Sequence, residues 1–185
     1  RQIEAKYYVL LNSDVEVTEN WLLPLHDHME GNPEVAGVQP KILSYQLRDT
    51  FEHAGASGGM LDFLGYPFCR GRIFDTVEKD AHQYEQVVSI AWASGAAMLV
   101  RADLFRAFGG LDGDFFAHME EIDFCWRLKN AGYEWKVVPE SVVYHVGGGT
   151  LNYQSPQKTY LNFRNSLWSL VKNDRSGFLL LKVLG

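Results

Sequence analysis

The sequence predicts an α/β fold, on three observations. Apolar runs of strand length, at residues 7–11, 35–43, 87–92, 96–100 and 141–146, alternate with segments whose apolar residues recur at helical spacing. The earliest run, Tyr7-Tyr8-Val9-Leu10-Leu11, stops abruptly in Asn12-Ser13-Asp14-Val15-Glu16, and in α/β sheets ligands collect at the carboxyl ends of strands. A length of 185 residues suits one domain with a sizeable core.

Each element follows from local chemistry. An apolar run of this kind reads as a strand buried on both faces. Side chains alternate along extended chain, so Asp14 and Glu16 are expected on one side, and two hard oxygen ligands at a strand end suit Mg²⁺ or Mn²⁺. The same residues also read as a plain polar turn with Asx-type bonds. Thr18 is expected to cap a helix that ends near Gly31, with Pro24 tolerated close to the first turn. Residues 35–43 form a strand. Residues 44–85 are Gly-rich and aromatic, too long for a simple connection, and loops of that length are usually functional. Two strand-like segments, 87–92 and 96–100, flank Ala93-Ser94-Gly95. A short helix over 102–108 is closed by Gly109-Gly110.

The next segment carries an acidic cluster. Ile122, Cys125, Trp126 and Leu128 have helical spacing and Gly132 is a natural stop, which puts Glu120, Glu121 and Asp123 in or before a first turn. Acidic residues there are favoured by the helix dipole without any catalytic role. Their mutual repulsion also raises the pKa of one towards the range of a general base. A further strand runs into His145 and Gly147-Gly148-Gly149, placing an imidazole at a strand end beside backbone that a ligand can approach. Beyond it, Ser155-Pro156 opens a helix on which Tyr160, Phe163, Leu167 and Leu170 form an apolar stripe. Arg164 on that helix reads either as a phosphate ligand or as a surface cation.

Composition sets limits. The net charge of -6 and pI near 5.5 argue against broad binding to nucleic acid or anionic lipid. Cys69 and Cys125 lack metal spacing and are expected to be free thiols. No apolar run approaches the roughly 20 residues that span a bilayer. The apolar segment 177–185 is expected to face a membrane or a partner. The abrupt start and finish lead us to expect a fragment of a longer chain.

Taken in order, these residues resemble the inverting glycosyltransferases of family 2, over about residues 7–172. Leu11-Asn12-Ser13-Asp14-Val15-Glu16 is similar to the family's metal-binding Asp-x-Asp motif, with Glu in the last place. The segment from Ala93 to Arg101 is similar to the acceptor side of the site. Phe105 to Asp112 carries the Phe-x-x-x-Gly-Gly-Leu-Asp pattern that leads into the catalytic Glu-Asp motif, here Glu120-Glu121. The rhamnosyltransferase-like branch, which builds bacterial surface polysaccharide, is the nearest in pattern.

The resemblance implies a GT-A, Rossmann-like fold lacking its N-terminal nucleotide-binding half, with C-terminal helices from about residue 155. It implies a nucleotide-diphosphate sugar donor, a glycan or lipid-linked acceptor, and Mn²⁺ or Mg²⁺ held by Asp14, Glu16 and His145. Glu121 maps to the catalytic base, with Glu120 and Asp123 as alternatives; Trp92, Ser94 and Gly95 map to the acceptor side, and Arg164 is the candidate for the donor phosphate. A cytoplasmic protein at the inner face of the membrane, touching it peripherally through the C-terminal region, is implied. The 185 residues alone are expected to transfer sugar weakly or not at all. Two other classes remain open: a non-catalytic nucleotide-sugar or glycan-binding remnant, and a metal-dependent phosphoryl-transfer or hydrolytic enzyme. No Gly-x-x-x-x-Gly-Lys loop is present, so the latter is not of the P-loop kind.

Overall fold

The computed structural model describes residues 4–74, 76–147 and 156–184. The chain runs β1 (Tyr7–Leu11), β2 (Val15–Val17), α1 (Leu22–Gly31), β3 (Val35–Ser44), β4 (Gly59–Leu61), β5 (Pro67–Cys69), β6 (Arg72–Ile73), β7 (Thr76–Val77), β8 (Val88–Ile90) and β9 (Ala97–Arg101). It continues through α2 (Ala102–Ala107), a 3-10 turn at Gly113–Phe115, α3 (Glu120–Asn130), β10 (Glu134–His145), α4 (Pro156–Asn173) and α5 (Leu179–Leu184). The main sheet has the order β1-β9-β3-β10-β2, with β8 also paired to β10. Only β3 and β10 are parallel; the other pairs are antiparallel.

The strand buried on both faces is β3, not β1. Every residue of β3 but its last is buried, whereas Val9 and Leu11 of β1 are 41% and 44% exposed. The reason is position: β3 lies between β9 and β10, while β1 pairs only with β9 among the described strands. Gly37 lets β3 run beneath Trp135, since a Cβ there would lie 2.4 Å from the indole. Around that indole the core is aromatic. Phe124 of α3 meets Trp135 and Phe105 edge to face, at 5.9 and 5.2 Å between ring centres.

Three local expectations are corrected. Thr18 does not cap α1; its hydroxyl donates to the Val142 carbonyl at 2.7 Å, Asn20 takes a positive φ of 58°, and the helix begins at Leu22. The segment 44–85 is not all loop, for β4-β5-β6-β7 form a second, antiparallel sheet. Buried Lys41 of β3 ties down the segment that follows β7 by donating to Asp80 at 2.8 Å and to Glu85. The apolar stripe on α4 is not one buried face: Tyr160, Phe163 and Leu167 are exposed, and Leu170 is buried beside Leu161, Asn165, Ser169 and Asn173. The expected cap Ser155 and the glycines Gly148 and Gly149 lie outside the described residues.

Candidate active site

A cavity of about 820 Å³ opens where the ends of β1 and β10 meet the segments 52–54, 92–96 and 118–122 and the start of α4. Its walls carry two chemically distinct groups. The first is built on His145, the last residue of β10. Its Nε2 lies 3.3 Å from an oxygen of Asp14 and its Nδ1 lies 3.6 Å from Glu52 Oε1. Burial lowers the affinity of this imidazole for a proton, but the Glu52 and Asp14 carboxylates outweigh that, and its pKa is raised. Glu52 is held by the Ala54 N–H, which donates to Oε2 at 2.6 Å. Gly147, at φ +69°, is required by this packing, because a Cβ would lie 2.9 Å from Glu52 Oε1.

An imidazole flanked by one carboxylate at Nε2 and another behind Nδ1 fits a divalent cation. Outer carboxylates commonly orient metal-binding His in this way, and Nδ1 has no hydrogen-bond partner among the described residues. Asn12, which also lines the cavity, adds an amide oxygen suited to Mg²⁺ or Mn²⁺. Glu16 is placed differently. Neither it nor Asp14 lines the cavity, but Asp14 touches His145, which does, whereas Glu16 receives Arg48 Nη2 on both oxygens, at 2.8 and 3.0 Å. The chain turns at Asn12–Asp14 before β2 begins, so the expected two-residue alternation does not hold and Asp14 and Glu16 part.

The second group is Glu120-Glu121, the start of α3. Each has one carboxylate oxygen sealed from solvent without a hydrogen-bond partner among the described residues. Burial, and then the charge of Glu120, push the Glu121 carboxyl up to about 7, against weaker opposition from backbone N–H groups. Gly95 lies directly beside it, with room for a Cβ 3.7 Å from that of Glu121. The turn before α3 is unusual: Phe116, His118 and Met119 all have positive φ, at 65°, 68° and 74°. Non-glycine residues are rarely held so, and such strain clusters at functional sites.

The other expected site residues divide. Asp123 is fully buried and committed to Arg127 at 2.9 Å, Lys172 at 3.0 Å and Asn173 at 2.8 Å, so it is a structural anchor rather than a base. Arg164 is likewise spent. It donates to the Asp114 and Phe115 carbonyls at 3.1 and 2.8 Å, stacks on Trp168, and does not line the cavity. The arginine that does line it is Arg72, in contact with His53 and with its Nε unpartnered among the described residues. Trp92 and Ser94 line the cavity with their polar atoms engaged. The Trp92 N–H donates to the Met60 carbonyl at 2.9 Å and the Ser94 hydroxyl to the Ala54 carbonyl at 2.9 Å. Asp80, His82 and Glu85 form another cluster of possible ligands, outside the cavity, and Lys41 already supplies its counter-charge. Behind α3, the Cys125 sulfur accepts the Ala93 N–H and is buried.

The model for "Glycosyl transferase family group 2" matches residues 7–182. The chain belongs to that family. Among solved structures, the chain's fold is similar to that of GalNAc-T7, crystallised with UDP, GalNAc and Mn²⁺, at a TM-score of 0.55 and 15% identity over 76% of this chain and 27% of that one. The fold is thus GT-A. Family relatives include the N-acetylglucosaminyl-diphospho-decaprenol L-rhamnosyltransferase of Mycobacterium tuberculosis, 34% identical over 48% of this chain and 28% of that protein. Rhamnosyltransferase WbbL of Escherichia coli is 25% identical over 75% of this chain and 52% of its own. The O-antigen biosynthesis protein RfbC of Myxococcus xanthus is 29% identical over 71% of this chain and 10% of its own. The chain therefore spans about half, or less, of the length of these relatives.

Proposed function

We propose that this family 2 domain transfers a sugar from a nucleotide-diphosphate donor to a hydroxyl of a glycan or lipid-linked acceptor, with inversion at the anomeric carbon. The observation that carries the reading is Glu121, a buried carboxylate with one oxygen sealed from solvent and without a hydrogen-bond partner among the described residues, on the wall of the same cavity as His145 and Glu52. Its pKa of about 7 lets it accept a proton near neutrality. Glu121 takes the proton of the acceptor hydroxyl as that oxygen attacks. One displacement inverts the centre. Asp14 and His145, with Asn12 beside them, would hold Mn²⁺ or Mg²⁺, which supplies charge neutralisation for the leaving diphosphate. Arg72 is assigned to the same diphosphate, in place of Arg164.

The test is a melting-temperature panel of nucleoside-diphosphate sugars with Mn²⁺, on the protein that contains this domain. One donor should raise the melting temperature only with Mn²⁺, the shift should vanish in Asp14→Asn, and it should persist in Glu16→Gln. Loss of the shift in Glu16→Gln, or none with any donor, would overturn the assignment. Release of free sugar without acceptor would point to hydrolysis instead. Among the described residues no helix is long and apolar enough to cross a membrane. Peripheral contact belongs to the same reading, through the exposed Tyr160, Phe163 and Val171 of α4. Sedimentation with phospholipid vesicles, weakened by Phe163→Asp, is the expected result.

A further inference from the structure

The buried face of α4 is polar where a helix of this kind would ordinarily be apolar. Asn165, Ser169 and Asn173 are all at most 1% exposed. Asn165 points its amide nitrogen at three backbone carbonyls of the turn before α3: Phe115 at 3.0 Å, Ala117 at 2.8 Å and His118 at 2.7 Å. The orientation is fixed by chemistry, because the amide oxygen accepts Arg164 Nε at 2.9 Å and would otherwise face three carbonyls. Arg164 adds its own bonds to Asp114 and Phe115.

What these bonds hold is strained. At Phe116, with φ 65° and ψ −57°, the Ala117 N–H donates back to the Phe115 carbonyl at 2.8 Å, a γ-turn of the positive-φ kind that is rare outside glycine. His118 and Met119 follow with positive φ, and none of the five residues 115–119 is glycine. Left to itself the segment would relax to ordinary backbone. Glu120 and Glu121 come directly after it and, with Met119, line the cavity, so relaxation would carry the carboxylates away.

We propose that Asn165, seconded by Arg164, is a positioning residue that holds the strained turn 115–119 so that Glu121 is presented to the acceptor hydroxyl. The proposal rests on the role given above to Glu121. Asp14, His145 and Glu52 sit on other elements, so the clamp governs the base and not the metal side.

The variant Asn165→Ala, in the protein that contains this domain, should lower kcat by about ten- to a hundredfold, the usual cost of a small misplacement. The donor KM and the Mn²⁺-dependent melting shift should stay within about threefold of wild type by the same argument. Asn165→Asp, nearly isosteric, should show the same loss, since it removes the donor without removing volume. Phe116→Gly in the Asn165→Ala background removes part of the strain at an exposed position and should restore much of the lost kcat. A second readout needs no substrate: a ¹³C titration of the Glu121 carboxyl, which should move towards ordinary carboxylate values in Asn165→Ala and return in the double variant. The titratable groups around it are Glu120 and Cys125 on α3 and His118 and Lys158 on the cavity wall, all unchanged in these variants. An Asn165→Ala protein that melts lower but keeps both kcat and the Glu121 titration would overturn the proposal, as would failure of Phe116→Gly to restore either. Absence of transfer by the wild type would instead count against the proposed function, with the titration still deciding the clamp.

Discussion

Glu121 bears opposite demands. A carboxylate buried with one oxygen unpartnered is costly, and the cost falls on its ionised form. Its folded pKa of about 7 stands above the ordinary 4.5, so the group contributes stability at low pH that is lost as pH rises through 7. Glu121→Gln is therefore expected to be more stable than wild type at pH 8, by up to about 3 kcal/mol, and indistinguishable at pH 4, as read by urea unfolding. Catalysis has the reverse sign. The ionised form accepts the proton, so transfer should fall away below about pH 7 in wild type and drop by about a hundredfold or more at all pH values in Glu121→Gln. The Glu120-Glu121 pair was legible in the sequence because a run of acids opening an amphipathic helix is a local signal. Glu52 was not. It is one acid in a Gly-rich stretch with no period, and only the return of the chain to the end of β10 sets it behind His145. The placing of Glu16 failed for a related reason: alternation was extended through a turn that breaks it.

At the scale of elements, the β10 terminus shows how a backbone detail holds a site. Gly147 combines φ +69° with a virtual Cβ 2.9 Å from the Glu52 carboxylate. Gly147→Ala should destabilise the fold by about 1–3 kcal/mol and weaken Mn²⁺ binding measured by calorimetry; unchanged Mn²⁺ affinity would remove Glu52 from the metal's support. Most strands and helices were readable from period and punctuation, including β3, α2 and α3. On α4 the period marks an apolar stripe, and three of its four residues, Tyr160, Phe163 and Leu167, turn out to be exposed. Helical period identifies faces, but it does not say which face the rest of the protein needs. Here the inward face answers the carbonyls of the turn and the Asp123 carboxylate, so it carries Asn165 and Asn173 beside Leu161 and Leu170, while Tyr160, Phe163 and Leu167 point outward.

Across the whole molecule, the cavity draws its walls from residue 10 to residue 162, so no short segment contains the site. The family order of motifs conveyed that long-range assembly, while the second sheet, built of strands of two or three residues, left no periodic trace. Lys41 joins the main sheet to the segment that leads out of the small one: it is 3% exposed and reaches Asp80, whose side chain is 9% exposed. Breaking a buried pair from one side leaves a stranded charge. Lys41→Met should cost about 3 kcal/mol or more and should open residues 59–77 to protease ahead of the main sheet. Equal cleavage in both proteins would show that the sheets are tied by other contacts.

The two buried thiols give the molecule an internal clock. Cys69 ends β5 in the small sheet, whereas Cys125 is packed on α3, its thiol pushed up in pKa by burial. Neither meets a water-borne alkylating reagent until its surroundings part. Modification of the first thiol times the lifting of the small sheet, and of the second the disassembly of the floor behind Glu121. Followed by mass spectrometry in native buffer, the pair would report whether those two openings are one event or two.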